Sequence, residues 1–101
     1  MKDIKGYEGL YAITSCGKVW SYRKNRFLKQ YTTPKGYKTI QLWDNGRFVT
    51  RKIHRLVAET YIPNQEKLDT VDHINFDKEN NCINNLRWMS RGENSVRKRC
   101  L

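Results

Sequence analysis

Nowhere does this chain hold an apolar run approaching the roughly 18 residues that a membrane span needs, and its opening segment, MKDIKGYEGLY, has no apolar stretch able to act as a secretory signal. Cysteine is scarce. Cys16, Cys82 and Cys100 are odd in number, far apart and without a C-x-x-C pair, a pattern that argues against a disulfide framework and against a cysteine zinc site. The expectation is a reduced, cytoplasmic protein. Acidic residues are also missing from one half. Residues 1–55 hold 13 Lys and Arg against three acids (Asp3, Glu8, Asp44), whereas residues 56–101 hold seven of each sign, so the whole net charge of +10 sits in the first half. That asymmetry points to a polyanion, most often nucleic acid. The basic half has no amphipathic helix suited to a membrane surface. With 101 residues, the chain suits one domain or two small lobes sharing a core.

What is present in the first half is short strands and turns. LYAIT and KVWSY flank SCG, and RFLKQYTT leads to the breaker PKG. YKTIQLW alternates, with Tyr37, Thr39, Gln41 and Trp43 on one face and Lys38, Ile40 and Leu42 on the other. DNG, at Asp44–Gly46, signals a hairpin that returns through RFVTRKI. The expectation is a small twisted antiparallel sheet with basic and aromatic residues on its outer face. The period then changes. Ile53, Leu56, Val57 and Tyr61 fall at i, i+3, i+4 and i+8, an amphipathic helix that stops near Pro63. VDHI reads as a strand, NFDKENNC as a loop and INNLRWM as a second strand, with Leu86 and Trp88 inward and Asn85 and Arg87 outward. Ser90 and Glu93 form a capping-box pattern opening a last helix that carries Asn94.

Three readings compete for residues 70–94. A calcium loop fails: counted from Asn75, position six is Asn80 rather than Gly and position twelve is Leu86 rather than an acid. Asparagines can also serve turns, which suits Asn80, Asn81 and Asn84. The third reading is a catalytic site built from Asp72, His73, Asn85 and Asn94.

VDHINFDKENNCINNLRWMSRGEN resembles the ββα-metal motif of the HNH endonucleases, in the branch typified by phage and intron-encoded homing nucleases. The match takes in the DHIN opening, the N-x-x-N-N-L-R-W strand and the helix-borne Asn. KIHRLVAETYIPN is similar to the helix preceding that motif, and IKGYEGLYAITSCGKVWS resembles the nuclease-associated modular motif (NUMOD type) found upstream, although that motif commonly opens on a Trp where this chain has Met1 or Lys2. The resemblance runs from residue 3 to about residue 97. It implies an α+β fold: a small N-terminal antiparallel sheet, a connecting helix, then the ββα-metal motif. Residues 1–52 would form a basic, β-rich DNA-binding lobe and residues 53–101 the helix plus nuclease motif. Homing enzymes continue past the motif, whereas this chain stops seven residues after Asn94, which argues against a long recognition site.

The residue types suit phosphodiester hydrolysis, which needs an activated water, charge neutralisation on phosphoryl oxygens and help for the leaving 3′ oxygen. His73 is the natural general base, since an unperturbed imidazole titrates near pH 6.5, at about the working pH. Asp72 offers the hard oxygen that one Mg²⁺ or Mn²⁺ prefers, and Asn94 can add an amide oxygen. The resemblance gives Asn85 the task of holding the motif's loop or the histidine. Arg23, Lys24, Arg26, Lys29, Lys35, Lys38, Arg47, Arg51 and Lys52 would neutralise DNA phosphates, joined by Arg87, Arg91 and Arg97. Tyr22, Tyr37 and Trp43 would pack on sugars or on one another. For His54 the expectation is helix packing or a phosphate contact. The function implied is a metal-dependent endonuclease of phage or mobile-element type that nicks DNA in the bacterial cytoplasm, as a monomer or homodimer. The rival is a non-catalytic DNA-binding derivative of such a nuclease. One difficulty is geometric: neighbours on a strand face opposite ways, so the strand must end or twist sharply at Asp72–His73.

Overall fold

The computed structural model describes residues 1–92. Their first half forms two antiparallel sheets where the sequence predicts one. The first is a meander in the order β1 (Lys2–Asp3), β2 (Tyr11–Ile13), β3 (Val19–Ser21) and β4 (Arg26–Phe27); the second is β5 (Tyr31–Thr32), β6 (Lys38–Asp44) and β7 (Arg47–Lys52). The break between them has a local cause. The Leu28 amide donates to the Val19 carbonyl at 2.9 Å, and the Gln30 side chain donates to the Gly17 carbonyl at 2.7 Å. Residues 28–30 are thereby tied back to the first sheet, and pairing starts afresh at Tyr31.

The alternation read from YKTIQLW is borne out: Ile40 and Leu42 are buried while Gln41 and Trp43 are exposed. Thr39 departs from it, being buried with its hydroxyl donating to the Tyr31 carbonyl at 3.2 Å. The hairpin also forms as predicted. Asn45 (φ 49°) and Gly46 (φ 86°) both take the left-handed conformation, which matches the turn to the twist of β6 and β7 and sets a register running from Asp44↔Arg47 to Thr39↔Lys52. In the first sheet the Tyr22 hydroxyl donates to Asp3 Oδ1 at 2.6 Å and the Gly9 amide to Oδ2 at 3.1 Å. These bonds, that of Tyr22 foremost, hold the Asp3 carboxyl below the usual carboxylate range and push the Tyr22 phenol up. Tyr22 thus braces β1.

Helix α1 (Ile53–Tyr61) follows β7 without a break. Lys52, at its N-cap, supplies no side-chain hydrogen bond. Burial decides the matter instead. Ile53, Leu56 and Val57 are wholly buried, each contributing about 1.5–3 kcal/mol, against about 1 kcal/mol for a missing cap. Beyond Pro63, Asn64 closes the connection by bonding both the amide and the carbonyl of Leu68. Strands β8 (Thr70–His73) and β9 (Leu86–Met89) then pair antiparallel, preceded on the β9 side by a 3₁₀ turn over Ile83–Asn85. Arg91 and Gly92 are helical. Among the described residues no helix is long and apolar enough to cross a membrane.

One core serves all of these elements. Ile13 and Val19 of the first sheet, Ile40 and Leu42 of the second, Ile53, Leu56 and Val57 of α1, and Val71 and Leu86 of the last pair belong to a single cluster. The Tyr61 hydroxyl reaches the Ile13 carbonyl at 2.6 Å, and Trp88 Nε1 the Ile62 carbonyl at 3.0 Å.

The cysteines correct the sequence reading. Cys16 and Cys82, 66 residues apart, form a disulfide. Spacing alone hides the pair because the β2–β3 turn meets the loop between β8 and β9 only in the folded chain. Gly17 lies at that meeting point with φ +92°, and a Cβ there would stand 2.7 Å from Ile53 Cγ2 and 3.3 Å from Asn81 Cβ. Gly17→Ala is therefore expected to cost about 2–4 kcal/mol in urea unfolding, from strain plus overpacking. Gly46→Ala, with a similar φ (+86°) but nothing within 4 Å, should cost about 1–2 kcal/mol; equal losses at the two positions would show that the close approach is unimportant. Alkylation of the unfolded, unreduced chain should label one thiol, and all three after reduction, as counted by intact mass.

Candidate active site

Asp72 and His73 end β8, so the strand stops where the sequence reading requires it to. The Phe76 amide donates to the His73 carbonyl at 2.9 Å, Phe76 takes φ 65°, and the chain turns into the loop. The two side chains leave opposite faces of the pleat. Asp72 stands across from Arg87, whose Nε is 3.4 Å from Asp72 Oδ2, and His73 stands across from Leu86 in the core. Both are buried. Arg87, expected on DNA, is engaged with this carboxylate, although its side chain stays 46% exposed.

Asn85 departs from the expected placement. It lies in the 3₁₀ turn ahead of β9 and is buried, whereas Asn84 is exposed. Its side chain spans the loop: Oδ1 accepts from the Asn75 amide at 3.1 Å and Nδ2 donates to the Asn80 carbonyl at 2.9 Å. The Ile74 amide adds a bond to the Asn85 carbonyl at 2.8 Å. Asn85 therefore holds the loop, and its amide is spent on backbone groups rather than on His73.

The imidazole is held by a residue the sequence reading assigned to turn formation. His73 Nε2 and Asn81 Oδ1 are 2.8 Å apart, with both side chains buried. Asn81 has no left-handed backbone to explain it. The signal available in the sequence was its place in the asparagine-rich loop eight residues after His73, which does not separate it from Asn80 or Asn84. Around His73 lie two further rings. His54, on α1, is buried with its centroid 4.9 Å from that of His73, and Tyr37 stacks on His54 at 5.3 Å and 27°. The packing role expected for His54 is what the helix gives it. Lys52 Nζ and Lys78 Nζ stand 5.1 and 4.8 Å from the Tyr37 centroid, and Lys78 also donates to the Lys35 carbonyl at 2.8 Å. Two ammonium groups thus flank the ring stack that contains His73, a setting that attracts an anion. Lys78 escaped the sequence reading because its loop is otherwise acidic and polar.

The remaining basic residues divide. Arg23, Lys24, Arg26 and Lys29 line a groove of about 650 Å³ between the two sheets, with Trp43 and Phe48 on its wall. Arg51 is bound to Glu59 at 2.8 Å, and Lys38 bonds Thr32 Oγ1 at 2.9 Å with Glu79 3.6 Å away. Arg47 and Arg91 are exposed. Asn94 and Arg97 lie outside the described residues.

The donor set suits a hard divalent ion. Asp72 is a carboxylate at a strand end, and Mg²⁺ is commonly held by one or two carboxylates, with substrate phosphate and water completing its shell. Among the described residues, no three His, Cys, Asp or Glu side chains gather as a closed site would require.

Comparison with known proteins agrees with this geometry. Residues 2–43 match the NUMOD4 motif and residues 51–96 the HNH endonuclease family. The DNA endonuclease I-HmuI of Bacillus phage SP01 is 40% identical over 90 residues, 89% of this chain and 52% of that protein. An uncharacterized HNH endonuclease of Acanthamoeba polyphaga mimivirus is 41% identical over 86 residues, 85% of this chain and 26% of the relative. A solved structure of DNA binding and cleavage by the HNH homing endonuclease I-HmuI superposes with a TM-score of 0.89 at 38% identity, covering 98% of this chain and 57% of the other. The chain thus spans about half the length of I-HmuI and about a quarter of the mimivirus relative.

Asn85→Ala, which leaves the Asn75 amide and the Asn80 carbonyl without these partners, should lower stability by about 1–3 kcal/mol and speed hydrogen exchange at Ile74 and Asn75. The exposed Asn84→Ala should stay within about 0.5 kcal/mol. The reverse order would assign the loop-holding role to Asn84.

Proposed function

We propose that this chain, which belongs to the HNH endonuclease family and carries a NUMOD4 motif ahead of its HNH region, hydrolyses DNA phosphodiester bonds by a divalent-cation-dependent mechanism. The observation that carries the reading is the buried Asp72–His73 pair at the end of β8, with the His73 ring fixed on one nitrogen and bordered by lysines.

His73 Nδ1 is the base. It has no hydrogen-bond partner among the described residues, while Nε2 is occupied by Asn81. Nδ1 accepts a proton from the attacking water as the water approaches the phosphorus, and the imidazole holds that proton until the product leaves. Asp72 would hold Mg²⁺ or Mn²⁺, with Asn94 as the second protein ligand. When bound, the cation supplies charge neutralisation for the phosphoryl oxygens and the leaving 3′ oxygen. Arg87 balances the Asp72 carboxylate otherwise, and its exposure lets it swing toward a phosphate. The helical turn at Arg91–Gly92 continues the β8–β9 pair into a ββα unit. Asn85 keeps the loop from spreading. Lys52 and Lys78 draw the phosphate toward the ring stack, and the groove with Arg23, Lys24, Arg26 and Lys29 holds the duplex away from the cut. Residues 1–52 are the DNA-holding lobe and residues 53–101 the nuclease unit. One site per chain makes a nick the unit of chemistry, leaving 5′-phosphate and 3′-hydroxyl ends.

The test is conversion of supercoiled plasmid to the nicked form at low salt with Mg²⁺ or Mn²⁺, with and without EDTA, for the intact chain and His73→Ala. The expected result is cation-dependent nicking that falls at least about 10²-fold in the variant. Retarded plasmid that neither protein cuts, even with Mn²⁺, would leave a DNA-binding protein. Nicking that survives in His73→Ala would move the base elsewhere.

A further inference from the structure

We infer that Asn81 is the positioning residue for His73: its side-chain oxygen sets the tautomer and the rotation of the imidazole, so that Nδ1 faces the substrate with its lone pair. The inference rests on His73 being the base, and it gives Asn81 a task distinct from that of Asn85.

A neutral imidazole carries one N–H, and the partner of that N–H decides which nitrogen is basic. The Asn81 amide oxygen only accepts hydrogen bonds. At 2.8 Å from Nε2 it selects the Nε2–H form and leaves Nδ1 unprotonated. The bond lies where water competes poorly, since Asn81 and His73 are 4% and 6% exposed, and an unmade hydrogen bond is costly there. His54 and Tyr37 hold the ring from the side, at centroid distances of 4.9 and 6.1 Å. Asn85 acts one step removed. It binds the carbonyl of Asn80, the residue preceding Asn81.

Three contacts fix Asn81 in turn, all with the β2–β3 turn. The next residue, Cys82, is joined to Cys16, and the Ile83 amide donates to the Ser15 carbonyl at 2.8 Å. Asn81 Cβ would be 3.3 Å from a Cβ on Gly17. The N-terminal part of the chain therefore reaches into the catalytic apparatus through a turn that bears no catalytic side chain.

Two variants separate positioning from packing. Asn81→Leu keeps the volume and removes the acceptor; Asn81→Asp keeps an acceptor oxygen in place. We would measure single-turnover nicking, DNA affinity by anisotropy, and the His73 tautomer by long-range ¹H–¹⁵N correlation in the full chain. Expected is an Nε2–H tautomer in the wild type that becomes mixed in Asn81→Leu, with nicking lower by about 10²-fold at unchanged DNA affinity, and most of the rate recovered in Asn81→Asp. An Nδ1–H tautomer in the wild type would overturn the inference, as would an Asn81→Leu protein that nicks within about twofold of wild type. Should the wild-type chain not cut, the general-base reading fails on its own account. The tautomer measurement would still decide whether Asn81 sets the ring.

Discussion

Gly17 has no side chain, and the room this leaves is where the two halves of the chain meet. With a Cβ 2.7 Å from Ile53 Cγ2, the β2–β3 turn would have to lift off α1 and off the loop between β8 and β9. The disulfide through Cys16, the bond from Ile83 to Ser15 and the packing of Asn81 all lie within that contact. A pair of four-residue strands offers little cross-strand area to fix a twelve-residue loop between His73 and Leu86. The stiffness such a loop needs must come from outside the pair, and the turn at residues 14–18 supplies it. The first sheet therefore supports the site as well as carrying charge.

Charge in the first half is less uniform than its sum suggests. Arg51 is bound to Glu59 and Lys38 lies near Glu79, both acids coming from the neutral half. Exposed pairs of this kind contribute about 0–1 kcal/mol to stability, yet they decide which cations remain available. Those left over fall into two sets, one in the groove between the sheets and one at the ring stack beside His73. A polyanion lying across both would pass the end of β8. This spatial sorting gives the charge asymmetry a direction that a count cannot give.

Local features were legible in the sequence and long-range ones were not. The helix over Ile53–Tyr61 and the Asn45–Gly46 turn follow from periodicity and from residues that tolerate positive φ, properties of a few adjacent positions. The end of β8 was legible for a different reason: two neighbouring residues required for one reaction cannot both face one side of a continuing strand. The split into two sheets was hidden because it rests on Gln30 reaching back to Gly17. The Cys16–Cys82 pair was hidden by 66 intervening residues. At the site, the family resemblance supplied Asp72, His73 and Asn85 but not Asn81. A side-chain hydrogen bond to a histidine leaves no mark on composition or periodicity, and Asn81 sits among residues that do serve turns, as Asn75 and Asn80 do by accepting the amides of Asp77 and Cys82.

The abundance of asparagine in this loop has a common physical cause. The loop must fold back within a few residues of a carboxylate, an imidazole and two lysines, and it must leave room for a phosphate. Fixing it with Asp or Lys would add charge that alters the field at the reacting atoms, and Ser or Thr hydroxyls reach less far. An amide carries a donor and an acceptor on one short, uncharged side chain. Asn85 uses both ends on backbone groups on the two sides of the loop, while Asn75 and Asn80 use one end on the next turn. Asn81 turns its oxygen on the imidazole. The loop is thus held by neutral bonds, and the charge at the site is left to Asp72, Arg87 and the lysines, which are the groups a phosphodiester and a cation would meet.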